Sequence, residues 1–253
     1  MPPIWWENNP VPTNLCQICY SFMQSFAGKV IAFNRQVNFS GKLPAGIRIM
    51  NPFQENAGIL RLSSKFYRKY YNDQNSRHLI LGINPGRCRA GITGIPFTDP
   101  KRLVENCKIP FDGTPAHEPS SVFIYEMIDA FGGADFFYGK FYIHSVCPLG
   151  FTRSTQNGKE VNYNYYDSKE LTEAVYPFIV RSIQQQIAMG VETDICYCFG
   201  TGKNEKFLRS LNEKHGFFKE IVALEHPRFI MQYKSKSKQI YLDKYLSAFN
   251  RVL

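Results

Sequence analysis

The sequence predicts an α/β fold, a three-layer α/β/α sandwich around a central four-stranded, mostly parallel sheet. Four short apolar runs, rich in β-branched and aromatic residues, end at Gly or Pro turns as strands do. Longer stretches with helical spacing of apolar residues separate these runs. Such alternation is typical of a parallel sheet covered on both faces.

The predicted elements alternate in a regular order along the chain. The strands are expected at residues 78–83, 141–146, 194–199 and 218–224. The helices are expected at residues 121–131, 168–189, 204–214 and 239–249. No linker rich in Pro, Gly or Ser interrupts the 253 residues. We therefore expect one domain, 1–253, in which residues 1–60 form a helical N-terminal extension.

Composition excludes several classes of protein. The chain is 44% hydrophobic and 20% charged, which is a globular composition. It has no run of 18 apolar residues, so no transmembrane helix is expected, and its first residues do not resemble a signal peptide. Seven scattered cysteines argue against a disulfide framework and predict a reducing cytoplasm.

The charge of the chain points to a polyanionic partner. The net charge is +9, and residues 203–251 carry eleven Lys and Arg against five Asp and Glu. The densest run holds Lys234, Lys236 and Lys238. Nucleic acid is the first candidate partner and an anionic membrane the second, although a lysine run is also common in solvated surface loops.

Ligands of parallel α/β sheets bind at the carboxyl ends of the strands, so the residues after each strand carry the functional prediction. The first strand leads into Gly82-Ile83-Asn84-Pro85-Gly86, a tight turn in which the Asn84 amide can hold a water or a substrate. This turn lacks both the Walker pattern and the Gly-x-Gly-x-x-Gly fingerprint. A purely structural turn is the alternative.

The later loops add aromatic, basic and titratable groups. Phe97 follows a Gly-Pro turn and is either core filler or a stacking platform for a base. Gly200, Gly202 and Lys203 offer backbone amides and a cation to a phosphate. His226 ends the fourth strand, just before Arg228 and Phe229, which is a titratable group beside a basic and aromatic edge.

Five short motifs therefore follow the predicted strands in chain order, two of them after the first strand. They are Gly82-Ile83-Asn84-Pro85-Gly86, Thr93-Gly94-Ile95-Pro96-Phe97, His144-Ser145-Val146-Cys147-Pro148-Leu149, Gly200-Thr201-Gly202 and His226-Pro227-Arg228. In order and spacing they resemble the uracil-DNA glycosylase superfamily, and within it a bacterial branch of the single-strand-selective monofunctional uracil-DNA glycosylases. The matches run over residues 50–245, most of the chain. Ser145 departs from the family, which has a base-reading Asn there, and the His226 motif lacks the family's Ser-Pro pair.

The resemblance implies a monofunctional enzyme of base excision repair. It flips a base out of DNA, hydrolyses the bond from the base to deoxyribose and leaves an abasic site. Asn84 holds the attacking water, and His226 donates a hydrogen bond to uracil O2. Phe97 and Ser145 contact the base in a pocket shared with Gly82, Ile83, Pro85 and Gly86.

DNA is then the expected partner, single- or double-stranded and containing uracil. Its contacts are expected at Gly200, Gly202, Lys203, Arg228, Phe229, Lys234, Lys236 and Lys238. The resemblance implies a monomer in the bacterial cytosol and nucleoid that has no membrane partner.

No metal or other cofactor is expected. Cys16 and Cys19 resemble half of the four-cysteine pattern that holds an iron–sulfur cluster in some members of the superfamily. Cys147 offers a third ligand, but no Cys follows between residues 152 and 191. Two other functions stay open. One is a non-catalytic nucleic-acid-binding protein on the same fold, and the other is a hydrolase of small molecules with acidic metal ligands.

Overall fold

A computed structural model describes residues 24–86, 90–114, 116–155 and 157–253. In chain order the strands are β1 (Ile47–Met50), β2 (Arg77–Gly82), β3 (Phe141–Ser145), β4 (Gly150–Ser154), β5 (Glu160–Tyr163), β6 (Val191–Phe199) and β7 (Glu220–Leu224). The α-helices are α1 (Phe26–Gln36), α2 (Pro52–Glu55), α3 (Ala57–Tyr70), α4 (Ala90–Thr93), α5 (Pro100–Glu105), α6 (Pro119–Ala130), α7 (Ala134–Lys140), α8 (Lys169–Ala188), α9 (Lys203–His215), α10 (Pro227–Tyr233) and α11 (Lys238–Phe249).

The central sheet confirms the predicted fold class. Its strands run in the order β3-β2-β6-β7, every neighbouring pair is parallel, and helices flank it. The four strands are the four apolar runs of the sequence, with bounds shifted by up to three residues. Strands that are buried on both faces appear in the sequence as continuous apolar runs, and these runs were sufficient to predict their positions.

A second, antiparallel sheet was not predicted. It has the order β1-β4-β5, and the β4–β5 hairpin places Phe151 opposite Tyr163. Its strands are short and half exposed, so they carry no apolar run. The pair Asn157-Gly158 in the hairpin is a turn signal that would have indicated it.

The described part of the N-terminal extension, residues 24–60, contains α1, β1, α2 and the first residues of α3. Helix α1 begins where the Ser25 hydroxyl accepts a hydrogen bond from the Gly28 N–H, a standard N-cap. Its apolar face joins the core through Phe26, Val30 and Ile31. Cys16 and Cys19 lie outside the described residues.

A buried arginine fixes the first residue of β2. The Arg77 guanidinium is fully buried, lies 4.8 Å from the ring centres of Phe26 and Tyr71, and makes two hydrogen bonds to the Asp73 carboxylate. Its Nε donates to the Tyr138 carbonyl. A buried charge needs such complete pairing. The other end of β2 leads directly into the turn that carries Asn84.

Among the described residues, none of the helices is both long and apolar enough to cross a membrane.

Candidate active site

The carboxyl ends of the parallel strands open into a cleft of about 370 Å³. Nine of the residues predicted from the sequence line it: Gly82, Ile83, Asn84, Pro85, Gly86, Phe97, Ser145, His226 and Arg228. They come from the loops after β2, β3 and β7 and from the loop that ends at Asp99. The fold therefore brings together four stretches of chain at the edge where parallel sheets bind their ligands.

Both atoms of the Asn84 side-chain amide are held by backbone groups. Its Oδ1 accepts a hydrogen bond from the Tyr165 N–H at 3.2 Å. Its Nδ2 donates to the carbonyls of Pro85 at 3.2 Å and Tyr163 at 3.4 Å. These partners determine which way the amide faces, and Oδ1 keeps a second lone pair for a water.

The turn around Asn84 also packs closely on the second sheet. A Cβ on Gly150, the first residue of β4, would run into the Pro85 carbonyl oxygen and the Met50 side chain. Only glycine permits this approach of the two backbones. The antiparallel sheet thus forms a wall of the cleft and supports the turn.

His226 is the N-cap of α10, and this position determines its tautomer. Its Nδ1 accepts a hydrogen bond from the Arg228 N–H at 3.1 Å. Burial, and secondarily the Arg228 charge, lower the pKa of His226 from 6.5 to about 4. The imidazole is therefore neutral at pH 7, with its proton on Nε2. Nε2–H is then the ring's hydrogen-bond donor.

Phe97 occupies a strained backbone position beside His226. Its φ is +53°, a conformation that few residues with side chains adopt. Its ring centre lies 5.5 Å from that of His226 and 5.6 Å from that of Phe199. A Cβ on Gly82 would come within 3.3 Å of the Phe97 ring, so glycine leaves room for it there. Strain of this kind indicates a functional position.

The loop before Phe97 is tied to the core by a short chain of hydroxyls. The Thr93 hydroxyl donates to the Thr98 carbonyl at 2.7 Å and accepts from the Ile95 N–H at 3.2 Å. The Thr98 and Tyr125 hydroxyls lie 3.0 Å apart. These contacts hold the strained turn in place.

Ser145 ends β3 directly beside the start of the Asn84 turn. It pairs with Gly82 in the parallel register, and the next N–H, that of Val146, donates to the Gly82 carbonyl. Ser145 is only 8% exposed. Its neighbour His144 is also buried, and burial lowers the pKa of His144 to about 4.

The predicted DNA contacts lie outside the cleft, apart from Arg228. Gly200 and Gly202 precede α9 with φ of +119° and +103°, and Lys203, the first residue of that helix, is exposed. Gly200 is tied to the end of β7 through its N–H, which donates to the Leu224 carbonyl at 2.7 Å. The Gly-rich turn and His226 are therefore neighbours.

The segment after His226 is the short helix α10, which is not among the helices predicted from the sequence. Helix α10 exposes Arg228 and Phe229, and the Phe229 ring contacts that of Tyr233 at 5.6 Å. Lys234 and Lys236 follow it and are exposed, whereas the Lys238 ammonium lies 2.5 Å from the Glu126 carboxylate. The three lysines are therefore not equivalent.

Sequence reasoning missed several residues of the cleft. Five lie outside the sequence motifs: Pro52, Phe53, Glu118, Asn162 and Asn164. Four others, Gly94, Pro96, His144 and Pro148, belong to the motifs but were given no role. Asn162 lies in β5 and Asn164 directly follows it, and the Asn157-Gly158 turn of the β4–β5 hairpin was the available signal.

Across residues 24–86, 90–114, 116–155 and 157–253, no group of three His, Cys, Asp or Glu side chains could hold a metal ion. Cys147, which the sequence offered as a cluster ligand, is fully buried, and this burial raises the pKa of its thiol to about 12. A neutral thiol does not bind metal as a thiolate does.

The chain matches a family model and is similar to solved structures. Residues 68–250 match the model of the uracil DNA glycosylase superfamily. The chain is similar to the crystal structure of wild-type SMUG2 from Pedobacter heparinus, with 63% sequence identity and a TM-score of 0.88 over 90% of this chain and 97% of that one. No curated protein sequence matches the chain.

Proposed function

The chain belongs to the uracil DNA glycosylase superfamily, and we propose that the cleft at the carboxyl ends of β2, β3 and β7 is where it removes uracil from DNA. It is a monofunctional uracil-DNA glycosylase of base excision repair, a hydrolase of N-glycosyl bonds. Water adds to C1′ of the deoxyribose, the C1′–N1 bond breaks, and uracil leaves as an anion that then takes up a proton. The target base must leave the stack to reach the cleft.

His226 stabilises the leaving uracil. Its Nδ1 is occupied by the Arg228 N–H, so Nε2 carries the proton that can be donated to uracil O2 as charge accumulates there. The lowered pKa keeps the ring neutral, so it acts by hydrogen bonding and not as a general acid.

Asn84 positions the attacking water. Its Nδ2 is engaged by the Tyr163 and Pro85 carbonyls, which leaves the free lone pair of Oδ1 as the acceptor for a water proton. An amide is a weak base compared with a carboxylate. The enzyme therefore gains rate mainly by holding the water in line with C1′.

Phe97 and Ser145 recognise the base. The Phe97 ring stacks on the flipped uracil, within reach of His226. The Ser145 hydroxyl, at the end of β3, contacts the polar edge of the base. Gly82, Ile83, Pro85 and Gly86 complete the pocket wall.

The DNA strand lies across the mouth of the cleft. Arg228 and Phe229 fill the gap that the flipped base leaves, and Gly200, Gly202 and Lys203 hold a phosphate at the start of α9. Lys234 and Lys236 bind further phosphates. Lys238 contributes less than they do, because its charge is already paired with Glu126.

The absence of an amine nucleophile fits hydrolysis without strand cleavage. Among the described residues that line the cleft, none is a lysine. We propose that the enzyme acts as a monomer on single- and double-stranded DNA in the bacterial cytosol and nucleoid. A non-catalytic binder would need neither a neutral donor at His226 nor a fixed amide at Asn84.

One observation carries this proposal: a neutral imidazole donor and a fixed amide acceptor line the same cleft beside a strained aromatic ring. The test is incubation with end-labelled oligonucleotides that contain one uracil, single-stranded and paired with guanine. Cleavage at the uracil after hot alkali, but not before it, is the expected result. A thymine oligonucleotide is the control, and an intact uracil strand after alkali would refute the proposal.

A further inference from the structure

The Asn84 amide is held by a part of the chain that the catalytic motifs do not include. Its two long-range partners, the Tyr163 carbonyl and the Tyr165 N–H, belong to β5 and the residues just after it. An amide can turn over about its last side-chain bond, and a turned amide would present Nδ2 to the water in place of Oδ1. The position of this backbone segment therefore matters to catalysis.

Tyr165 is anchored through its side chain as well as its backbone. The ring is fully buried, and its hydroxyl donates to the Oδ1 of Asn204 at 2.7 Å. Its carbonyl accepts a hydrogen bond from the Thr172 hydroxyl at 3.0 Å. Burial raises the pKa of Tyr165 well above its ordinary value, so the hydroxyl stays a donor over the working pH range.

Asn204 connects this anchor to the central sheet. It is 2% exposed and lies in the first turn of α9. Its Nδ2 donates to the Phe199 carbonyl at the end of β6, at 3.1 Å, and contacts the Cys198 sulfur at 3.3 Å. A continuous path of hydrogen bonds thus runs from the end of β6 through Asn204 and Tyr165 to Asn84.

We propose that Tyr165 and Asn204 are positioning residues that keep the Asn84 Oδ1 turned toward the attacking water. The inference rests on the role proposed for Asn84. Neither residue contacts the substrate in this scheme, since both act only through the amide. If this path of hydrogen bonds is broken, the Tyr165 N–H can move. The Asn84 amide can then adopt orientations that do not hold a water in line with C1′.

A merely structural role makes a different prediction. Buried tyrosine hydroxyls stabilise a fold wherever they donate, and Tyr197 is a matched case. Tyr197 is also fully buried, and its hydroxyl donates to the Ala248 carbonyl at 3.0 Å. Loss of either hydroxyl should destabilise the protein, but only loss of the Tyr165 hydroxyl should change how Asn84 works.

The experiment is a double-mutant cycle on single-turnover excision of uracil. Tyr165→Phe, which removes one oxygen atom, should slow the wild type by about tenfold with unchanged DNA affinity. It should have no further effect in an Asn84→Ala background, and its full effect in a His226→Ala background. Tyr197→Phe should lower the melting temperature comparably and leave the rate unchanged in all three backgrounds.

Asn204→Ala breaks the same path at its other end and provides the second variant. It should slow excision like Tyr165→Phe, and the two changes combined should be no slower than either alone. A wild-type rate for Tyr165→Phe, or equal slowing in the Asn84→Ala background, would overturn the inference. Failure of the proposed function appears separately, because the wild type would then leave uracil in place.

Discussion

The backbone N–H of Arg228 donates a hydrogen bond to Nδ1 of His226 across 3.1 Å. This one contact decides the chemistry of the histidine, since a protonated Nδ1 could not accept it. Burial acts in the same direction and lowers the pKa of His226 to about 4. His226 is therefore a neutral donor whose proton faces away from its own helix.

The pH profile of excision tests this state of His226. With a pKa of about 4, the ring stays neutral from pH 6 to pH 9, so the single-turnover rate should be level over that range. An imidazolium with a pKa near 6.5 would instead make the rate fall by about tenfold per pH unit above pH 7. Single-turnover rates at six pH values and constant ionic strength distinguish the two, and a falling profile would contradict the neutral tautomer.

Two histidines with lowered pKa values should also make the fold sensitive to acid. Burial lowers the pKa of both His144 and His226 to about 4. The unfolded chain takes up protons near pH 6.5 and the native state only near pH 4, so the unfolding free energy falls as pH drops through this window. Each site contributes up to about 1.4 kcal/mol per pH unit, and His226 less because it is partly open to solvent.

Urea unfolding at pH 7.0 and 5.0 measures this loss of stability. His144→Gln should reduce the difference between the two pH values. His215→Gln changes an exposed histidine and should leave the difference as it is in the wild type. Identical pH dependence in all three proteins would contradict a neutral, buried His144.

The roles proposed for His226 and Asn84 predict losses of rate without losses of binding. Removing one preorganised donor to a developing oxyanion costs about 3 kcal/mol, roughly a hundredfold in rate. His226→Ala and Asn84→Ala should each slow single-turnover excision at least tenfold, because both groups act mainly in the transition state. Fluorescence anisotropy with an uncleavable oligonucleotide should give wild-type affinity. Wild-type rates for both variants would show that the site lies elsewhere.

The lysines after α10 should differ in their contribution to DNA binding. Lys234→Ala and Lys236→Ala should each remove one phosphate contact. Each should therefore reduce the slope of log binding constant against log salt concentration by about 0.7 to 0.9. Lys238→Ala should change the slope less, because Glu126 already pairs with it. Lys214→Ala, at the far end of α9, is the control. Equal slopes for all variants would place the DNA on another surface.

Ser145 should relax the choice of base. An Asn at this position can donate one hydrogen bond and accept another at the same time. It would accept from uracil N3–H and donate to uracil O4, whereas cytosine would leave these groups unpaired. Serine has one rotatable hydroxyl and leaves more room. We expect uracil excision with tolerance of other deaminated or 5-substituted bases, and Ser145→Asn should raise the uracil rate and sharpen the preference.

Rates on uracil, hydroxymethyluracil and hypoxanthine for the wild type and Ser145→Asn measure this effect. Each mispaired buried group commonly costs about 1–3 kcal/mol, so the ratio of rates should change by at least fivefold. Unchanged rates on all three bases would mean that Ser145 does not face the base.

The fold class could be predicted because the buried stretches of the parallel strands are continuous apolar runs. The four predicted runs are β2, β3, β6 and β7. The antiparallel sheet escaped prediction for the opposite reason. β5 is half exposed, with Asn162 between Val161 and Tyr163, and its pairing with β4 depends on a partner that composition does not reveal.

The candidate residues of the site were accessible from sequence because strand-end turns are local. Gly and Pro mark where β2 ends, and they place Asn84 in that turn independently of tertiary contacts. The same reasoning identified His226 before Pro227. It could not separate Lys238 from Lys234 and Lys236, since the carboxylate that pairs with Lys238 comes from the distant helix α6.

The sequence by itself predicted the family, the parallel sheet and Asn84, Phe97 and His226 as candidate site residues, because each depends on residue types within a few positions of one another. Only the tertiary structure decided how these groups are held. The Asn84 amide is oriented by Tyr163 and Tyr165, which lie 79 and 81 positions further along the chain. Burial by the assembled core keeps His226 neutral. Hydrogen-bond direction and desolvation depend on which distant segments meet, and a linear pattern does not contain that information.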